Sequence, residues 1–383
     1  MTGESMRVTL LSSNVSLNSV ARAQLLAEVL SRDFEVQVLG TAFGGGVWEP
    51  ARGGPVPVES VPGGRWPGYA STVSTLLGRI RGDVVYAVKP LFASFGVALL
   101  HRRRSGAPVV LDIDDDELSF RPAGSLRQPR RWAVNVGHPD GRSWTRAMLA
   151  RTGWAERLTV AGQALQARYG GTLVPHAKDT ARLQPRPEWR ERARARLGVG
   201  ARPVVMFMGT PRVYSGVEDA AEAVRRMRHG ADLVVAGGDP ADPFFRSLKA
   251  ALPEVSFHPP SPLEEVPLLL EAADVVVVPQ RMHPQSAMQV PSKLLDAMAM
   301  ARPTVATAVS DIPAMLAGGR GLVVPPADPA ALAAALDALL DAPEDARQMG
   351  LRARRWCERH ASYDAVRATL RGVIEDAAAR RTA

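Results

Sequence analysis

The residues best suited to chemistry lie in the stretch Gln289-Val-Pro-Ser-Lys-Leu-Leu-Asp296. Proline is favoured in a first helical turn because its missing N–H would be unpaired there, so we expect a helix to begin at Pro291 or Ser292. A helix N-terminus offers free N–H donors and a partial positive charge, which suit a phosphate, and Lys293 adds a full charge. Asp296 lies one turn further on the same face, where its carboxylate could accept hydrogen bonds from the two hydroxyls of a ribose.

A second set of residues that could bind a ligand is the acidic run Asp112-Ile-Asp-Asp-Asp-Glu117, which begins at the end of a predicted buried strand. Strand ends project from a parallel sheet, so some of these carboxylates are expected at a ligand site. They would suit a cationic ligand such as an amino sugar or an aminocyclitol, which is the interpretation we favour. Two alternatives stay open: solvated or capping acids, and a metal-binding Asp-x-Asp signature.

The elements that position these residues alternate between short apolar strands and amphipathic helices. This alternation occurs twice and predicts an α/β protein with two doubly wound parallel sheets. The predicted strands are 7–11, 34–39, 83–88, 108–113, 158–161, 172–174, 203–208, 232–236, 255–257, 275–278, 304–306 and 321–324. The predicted helices are 20–30, 91–103, 217–227, 243–251, 263–272 and 291–301, and the tail 329–379 is nearly all helical.

The proline-, arginine- and glycine-rich stretch 185–200 predicts a linker with a lead-in helix. We therefore expect an N-terminal domain at 1–183, a C-terminal domain at 184–360, and a last helix at 361–383 that packs toward the N-terminal domain. Ligands of such sheets bind outside the carboxyl ends of the strands. The functional residues are thus expected in the loops after the strands, in a cleft between the domains.

The stretch Asp296-Ala-Met-Ala-Met-Ala-Arg-Pro303 resembles the donor-binding motif of retaining GT-B glycosyltransferases, in particular family 4. That motif has two glutamates eight residues apart, followed by Ala-Met-Ala-x-Gly-x-Pro. Asp296 takes the place of the second acid, whereas Met288 stands at the first. A subset of the family has a Pro-x-Lys-x-x-acid form, which Pro291 to Asp296 matches. The resemblance covers roughly residues 155–345 well and the first domain only by topology.

Other landmarks follow in family order. Gly209-Thr-Pro-Arg-Val-Tyr-Ser-Gly216 resembles the loop in which an arginine and then a lysine hold the donor diphosphate; Arg212 fits the arginine, and Ser215 stands at the lysine position. Val174-Pro-His-Ala-Lys-Asp179 resembles the Pro-Asn-Gly-Val-Asp segment at the domain junction. His258 follows Phe257 where the family's backbone contacts the base.

The resemblance implies the GT-B fold, with two Rossmann-like domains facing a central cleft, and a retaining transfer from a nucleotide diphosphate sugar to a hydroxyl. It implies no metal and no cofactor beyond the nucleotide-sugar donor, such as a UDP-, GDP- or dTDP-sugar. The candidate catalytic residues are His138, Arg212 and Lys293. The implied donor-binding residues are Gly209, Thr210, Arg212, His258, Gln289, Ser292, Lys293, Leu294 and Asp296. The candidate acceptor-binding residues are Asn14, Asn18, Lys89, Asp112, Asp114, Asp115 and His176.

Composition excludes several classes of protein. The 383 residues carry a formal net charge of +8, but aromatic residues do not interleave with the basic clusters, so nucleic-acid binding is not expected. No apolar run is long enough for a membrane-spanning helix, although Arg102-Arg-Arg104 or Arg130-Arg-Trp132 could contact a membrane surface. The single cysteine, Cys357, favours a reducing cytoplasm. A monomer or a homodimer is expected.

Three other functions stay open at this stage. Nucleotide-sugar epimerases share the two-domain architecture, and a cell-envelope glycosyltransferase would take a lipid-linked acceptor. A binding protein without turnover would account for Met288 and Ser215 at the usual acid and lysine positions. A nicotinamide dehydrogenase is disfavoured because no Gly-x-Gly-x-x-Gly opens the first helix.

Overall fold

A computed structural model describes residues 6–121 and 136–380. Its contacts divide the chain into two compact units: Met1–His176 together with Asp364–Ala383, here called the first unit, and Ala177–Tyr363, the second unit. Within the described residues, no helix is both long and apolar enough to cross a membrane.

The first unit is built on a parallel sheet of seven described strands in the order β3-β2-β1-β4-β5-β6-β7. The central strands are buried along their whole length, as expected of a sheet covered on both faces. The strands are β1 (Arg7–Ser12), β2 (Glu35–Ala42), β3 (Val58–Pro62), β4 (Val84–Val88), β5 (Val109–Ile113), β6 (Arg157–Val160) and β7 (Thr172–Leu173). The order reverses between β1 and β4, so the loops after these two strands flank the switch point.

The helices of the first unit connect these strands and cover the sheet. They are α1 (Val20–Leu30), α2 (Tyr69–Arg79), α3 (Val97–Ser105), α4 (Arg142–Leu149) and α5 (Gln163–Tyr169). Helix α14 (Tyr363–Ala379), from Asp364 onward, also belongs to the first unit. The predicted helix 91–103 is corrected here: its beginning is a π-helical turn, Phe92–Gly96, and the regular helix starts only at Val97.

The second unit repeats the architecture with six described strands in the order β10-β9-β8-β11-β12-β13, all parallel. They are β8 (Val204–Met208), β9 (Asp232–Ala236), β10 (Ser256–His258), β11 (Val275–Val278), β12 (Thr304–Thr307) and β13 (Leu322–Val324). The helices are α6 (Arg190–Arg196), α7 (Val217–Arg226), α8 (Pro243–Ala251), α9 (Val266–Glu271), α10 (Ser292–Ala299), α11 (Ile312–Leu316), α12 (Pro329–Asp341) and α13 (Pro343–His360).

The alternation of side chains along β8 gives the second unit a core on each face of its sheet. Met206 and Met208 pack into a cluster with Leu294 of α10, whereas Phe207 packs on the other face with Val217 of α7. Successive residues of a strand point to opposite faces, so one strand serves both cores. The predicted α/β fold with two doubly wound parallel sheets is confirmed.

Candidate functional site

The switch point of the second unit lies between β8 and β11, and the loop after β8 begins at Gly209. Gly209 has φ +110°, and a Cβ there would lie 3.4 Å from Lys293 Cε. The positive φ favours glycine, and the lysine side chain lies within van der Waals distance of where a Cβ would be. The loop after β8 and the start of α10 consequently meet at one place.

Lys293 lies in the first turn of α10 and is only partly exposed. Its Nζ is 3.8 Å from the centroid of the Phe207 ring, a cation–π distance. Burial and the charge of Arg212 lower the pKa of Lys293 to about 7, although the charge of Asp296 acts in the opposite direction. An anion bound beside this lysine would restore its charge and would itself be stabilised.

Arg212 is the second cation of this loop, and almost half of its side chain is exposed. Its guanidinium is 3.3 Å from a carboxylate oxygen of Asp242, which also caps α8. The backbone N–H of Arg212 donates to Ser215 Oγ at 2.9 Å. Ser215 is buried, so the residue at the family's lysine position shapes the loop and supplies no charge.

Asp296 faces a lysine that the sequence analysis did not single out. Lys178 Nζ lies 2.6 Å from Asp296 Oδ1 and donates to Ser292 Oγ at 2.7 Å. Lys178 stands where the family segment Pro-Asn-Gly-Val-Asp has valine. A charged residue in place of this apolar one was the sequence signal that could have indicated a role for Lys178. The pair fixes the carboxylate one turn into α10, because a salt bridge with a second hydrogen bond restricts both side chains.

Gln280 is a second residue that sequence reasoning missed. It lies two residues after the end of β11 and is 3% exposed, and among the described residues its Oε1 has no hydrogen-bond partner. Its Nε2 is 3.5 Å from Gln289 Oε1. A buried acceptor left unpaired at a switch point is costly unless a ligand satisfies it.

Leu294 requires a correction. Its side chain is fully buried in the core and its backbone N–H donates to the Pro291 carbonyl, so neither group is open to a donor. His258 ends β10, and its Nε2 lies 2.9 Å from Ser256 Oγ. Its carbonyl accepts hydrogen bonds from two glycine N–H groups, and burial lowers the pKa of its imidazole. Thr210 is partly buried in the loop after β8.

Asp112, a candidate acceptor residue, also requires a correction. Its carboxylate is fully buried and is bound by Arg22 through two hydrogen bonds of 3.0 and 2.8 Å, and by Thr159 Oγ1 at 2.7 Å. Arg22 donates in addition to the carbonyls of Val174 and Pro175. This buried pair ties α1 to the carboxyl ends of β5 and β7 and leaves Asp112 no contact with solvent.

Lys89 follows β4 with φ +74° and places its ammonium among the other acids of the run. Its Nζ lies 2.7 Å from Asp114, 3.0 Å from Asp115 and 2.7 Å from Glu117. Within the described residues, these three acids form a group whose oxygens are close enough together to hold a metal ion. The ammonium satisfies them instead, so the residues present fit a lysine-centred ion cluster better than a metal. The three carboxylates raise the pKa of Lys89 although burial acts to lower it.

His138 lies against the Phe43 ring, with 4.6 Å between the ring centroids. Its Nδ1 accepts a hydrogen bond from the Asp140 N–H at 3.1 Å, and burial with the charges of Arg65 and Arg121 lowers its pKa. The imidazole is therefore expected to be neutral with its proton on Nε2. It can donate a hydrogen bond to a ligand, which is a different role from that of a base.

The remaining candidates occupy the loops of the first unit. Asn14 Oδ1 accepts from the Ser16 N–H at 2.9 Å in the loop after β1, and Asn18 is exposed in the same loop. His176 is partly buried just after β7. Of the two basic runs, Arg102 pairs with Glu156 at 2.8 Å, whereas residues 130–132 lie outside the described part of the chain.

Comparisons with known proteins concern the sequence and the fold of the chain. Residues 202–342 match the family described as Glycosyl transferases group 1. A 144-residue stretch is 31% identical to an alpha-D-kanosaminyltransferase of Streptomyces kanamyceticus, covering 36% of each chain. A 248-residue stretch is 29% identical to a GDP-mannose-dependent alpha-(1-6)-phosphatidylinositol monomannoside mannosyltransferase of Mycolicibacterium smegmatis, covering 58% of this chain and 64% of the relative. The chain thus spans about a third of one curated relative and just under two thirds of the other.

Among solved structures, the chain is similar to Anabaena HepE in complex with UDP-glucose. The TM-score is 0.73 at 15% identity, over 97% of this chain and 99% of HepE. A likeness at this identity concerns the fold. With the family match in the second unit, it confirms the predicted GT-B architecture and the predicted resemblance to GT-B glycosyltransferases.

Proposed function

We propose that this chain, which has the GT-B fold and a group 1 glycosyl transferase segment, moves a sugar from a nucleotide diphosphate donor to a hydroxyl. The observation that carries the proposal is the meeting of Gly209, Arg212, Lys293 and Asp296 at the switch point of the second unit. Two cations and a close backbone loop suit a diphosphate, and a carboxylate one helical turn away suits a ribose.

Arg212 and Lys293 would act on the leaving group. Breaking the bond between sugar and phosphate leaves negative charge on the diphosphate, and stabilising such charge is usually the largest contribution to catalysis. The ligand-free lysine has its pKa lowered to about 7 by burial and by Arg212, so it gains charge as the diphosphate binds. Its contribution therefore grows where the negative charge is greatest.

Asp296 would hold the ribose hydroxyls, with Lys178 fixing the carboxylate at 2.6 Å. One carboxylate oxygen is engaged by Lys178 and the other remains to accept a hydroxyl. Gln280 Oε1, which lacks a hydrogen-bond partner among the described residues, is a further acceptor for the donor. Gln289, Ser292, Thr210 and His258 remain proposed donor contacts.

For stereochemistry and mechanism, we infer a retaining, metal-independent transfer in which the leaving phosphate assists attack on the same face of the sugar. The support is the resemblance of residues 291–303 to the retaining family's motif. His138 would donate its Nε2 proton in a hydrogen bond to the transferred sugar. The anomeric configuration of the product, read by proton NMR, tests this: an inverted product would contradict it.

For the acceptor, we infer a hydroxyl compound bound by the loops of the first unit, including Asn14, Asn18 and His176. A cationic amino sugar or aminocyclitol of secondary metabolism is the candidate, and Asp115, the most exposed of the acids around Lys89, is the residue to test. Lys89 and Arg22 neutralise part of the acidic run, so the attraction for a cation is weaker than the sequence alone indicates.

A lipid-linked acceptor is a second candidate, favoured by the relative named for phosphatidylinositol monomannoside. Asp115→Asn separates the two: it should raise KM for an aminocyclitol acceptor and leave a lipid-linked acceptor unaffected. A cytoplasmic location and a monomeric or homodimeric state remain proposals beside these.

The activity is tested with UDP-, GDP- and dTDP-sugars, by measuring nucleotide release and screening acceptors by mass spectrometry. The proposal predicts release of free nucleoside diphosphate together with a glycosylated product. Lys293→Met should lower turnover at least about 100-fold because transition-state charge is left unpaired. Arg226→Met removes the same charge from the exposed surface of α7 and should leave turnover unchanged. Interconversion of the donor alone would show an epimerase instead, and donor binding without any product a binding protein.

A further inference from the structure

The second unit has a basic depression of about 570 Å³ between the turn before β13 and helix α13. It is lined by Gly318, Trp356, Glu358 and four arginines, Arg320, Arg352, Arg355 and Arg359. The carboxylate of Glu358 is paired with Arg354, which is not a lining residue, at 2.9 Å. None of these residues belongs to the proposed donor site. The volume lies in the range of small-ligand pockets.

The four arginines of the basic depression lie close together without acidic partners among the described residues. Arg352, Arg355 and Arg359 share one face of α13, being three and four residues apart. In the described part of the chain, none of the four has a carboxylate within 4.0 Å. On the same helix, Arg347 pairs with Glu344 at 2.7 Å and Arg354 with Glu358 at 2.9 Å.

Backbone contacts hold these guanidinium groups in place. Arg320 donates through Nε to the Met315 carbonyl at 2.7 Å and lies 5.3 Å from the Trp356 ring centroid. Arg352 donates through Nε to the Gly319 carbonyl at 2.8 Å. Arg355 and Arg359 donate through Nε to carbonyls of their own helix. Within residues 6–121 and 136–380, the three helix arginines donate hydrogen bonds through Nε alone, which leaves their terminal nitrogens to a ligand.

The turn at Gly318 and Gly319 makes room for this arrangement. Both residues are left-handed, with φ +70° and +69°, and a Cβ on either would lie 3.2 Å from an arginine nitrogen. Burial, and secondarily the charge of Arg359, lower the pKa of Arg320. A bound anion would relieve this repulsion.

We propose that the basic depression binds a ligand that carries two or more phosphate groups, at a site distinct from that of the donor. Guanidinium forks match phosphate oxygens in geometry and charge, and four unpaired cations exceed what a single monoanion needs. Such phosphates belong either to a soluble metabolite or to the headgroups of an anionic lipid. Both kinds of ligand would be bound by the same guanidinium groups, and the experiment below distinguishes them.

The test compares wild-type protein with Arg352→Ala/Arg355→Ala and with a control, Arg226→Ala/Arg347→Ala. The control removes equal charge from arginines of the same unit that have acidic partners. Pyrophosphate binding is titrated by calorimetry, and co-sedimentation is measured with phosphatidylglycerol and phosphatidylcholine vesicles. Circular dichroism checks that each variant is folded, and Arg359→Ala repeats the test at an exposed single site.

The proposal predicts that the wild-type and control proteins bind one more pyrophosphate, or more phosphatidylglycerol, than the Arg352/Arg355 variant, with a loss of at least about tenfold in affinity. A difference with pyrophosphate alone identifies a soluble ligand, and a difference with phosphatidylglycerol vesicles alone identifies a lipid. If neither probe binds the wild-type protein, or if the variant and the control bind both probes equally, the proposal is overturned. UDP binding is the internal control, since the donor site is unchanged in every variant.

Discussion

Lys293 is the residue on which the proposed donor site depends most, because its environment affects both its own charge and the binding of a diphosphate. Its burial in the first turn of α10 makes charge costly in the ligand-free protein, although the Phe207 ring favours the ammonium. The same place brings it beside Arg212, where a diphosphate would find two cations. A lysine whose charge depends on its ligand couples donor binding to proton uptake.

The first prediction follows from this coupling. The ligand-free pKa of Lys293 is lowered to about 7, mainly by burial, and a bound diphosphate raises it. Below that pH the lysine is charged in both states, whereas above it binding must take up a proton. The Kd of a nucleotide sugar should therefore rise up to about tenfold per pH unit above about pH 7. Calorimetry in buffers of different ionisation enthalpy measures the proton uptake.

Lys293→Arg is the matched control for this pH dependence. Arginine stays protonated over the same range, so the slope of log Kd against pH should become flat. Nucleotide sugars are the right probes, because their diphosphate has no group that titrates near neutral pH. A wild-type protein that binds with neither pH dependence nor proton uptake would contradict the coupling of donor binding to the charge of Lys293.

Arg22 gives the second prediction. Both members of its pair with Asp112 are almost fully buried, so Arg22→Met leaves a buried carboxylate without its cation. The free energy of unfolding should fall by about 3–5 kcal/mol. Arg367→Met, which breaks the exposed pair with Asp33, is the control and should change it far less. Urea denaturation measures both, and equal effects would contradict a structural role for Arg22.

Elements with strong apolar patterns could be predicted from the sequence. Strand β9 and helix α8 have the predicted bounds, Asp232–Ala236 and Pro243–Ala251. The buried run of β9 ends at a glycine, and Asp242 caps the N-terminus of α8. Strand β3 was missed because it lies at the sheet edge and buries only Val61. Helix α2 was missed because serine and threonine interrupt its apolar face.

The site was predicted in part, for a related reason. The helix start at Ser292 and the close loop at Gly209 follow from local sequence. The contact of Lys178 with Asp296 joins residues 118 positions apart and depends on tertiary packing. The neutralisation of the acidic run by Lys89 is equally non-local. Sequence patterns therefore located the loops but could not give the partners of their charges.

Gly216 gives the third prediction, at the junction of β11 and α7. It has φ +68°, and a Cβ would lie 1.9 Å from the Pro279 carbonyl oxygen. Gly216→Ala should cost about 2–4 kcal/mol of unfolding free energy and displace the loop after β8. Gly372→Ala is the control: nothing lies within 4 Å of its Cβ on α14, so it should gain up to about 1 kcal/mol. Thermal unfolding compares the two, and a neutral Gly216→Ala would contradict the close approach.

The whole molecule has two units that repeat one architecture, and the proposed ligands divide between them. The proposed donor contacts all belong to the second unit, whereas the acceptor candidates belong to the first. The formal charge of +8 includes four arginines of the basic depression that have no acidic partner among the described residues. Charge and ligand sites are thus distributed unevenly along the chain.

Hydrogen exchange tests this division as the fourth prediction. A bound nucleotide sugar orders the groups that contact it and raises local protection. Protection should increase in peptides covering 209–216 and 289–300, and thermal stability should rise with nucleotide concentration. Lys293→Met should lose most of this protection, with Arg226→Met as the control. Protection confined to peptides of the first unit would contradict the placement of the donor.

The most direct measurement for the proposed donor site is the affinity of a nucleotide sugar for Asp296→Ala, determined by calorimetry. The double variant Lys178→Met/Asp296→Ala is measured beside it, because the single change leaves Lys178 without its partner. We predict that both variants bind at least about tenfold more weakly than the wild-type protein, since the ribose loses its carboxylate acceptor. Unchanged affinity in both folded variants would contradict the assignment of this helix to the nucleotide.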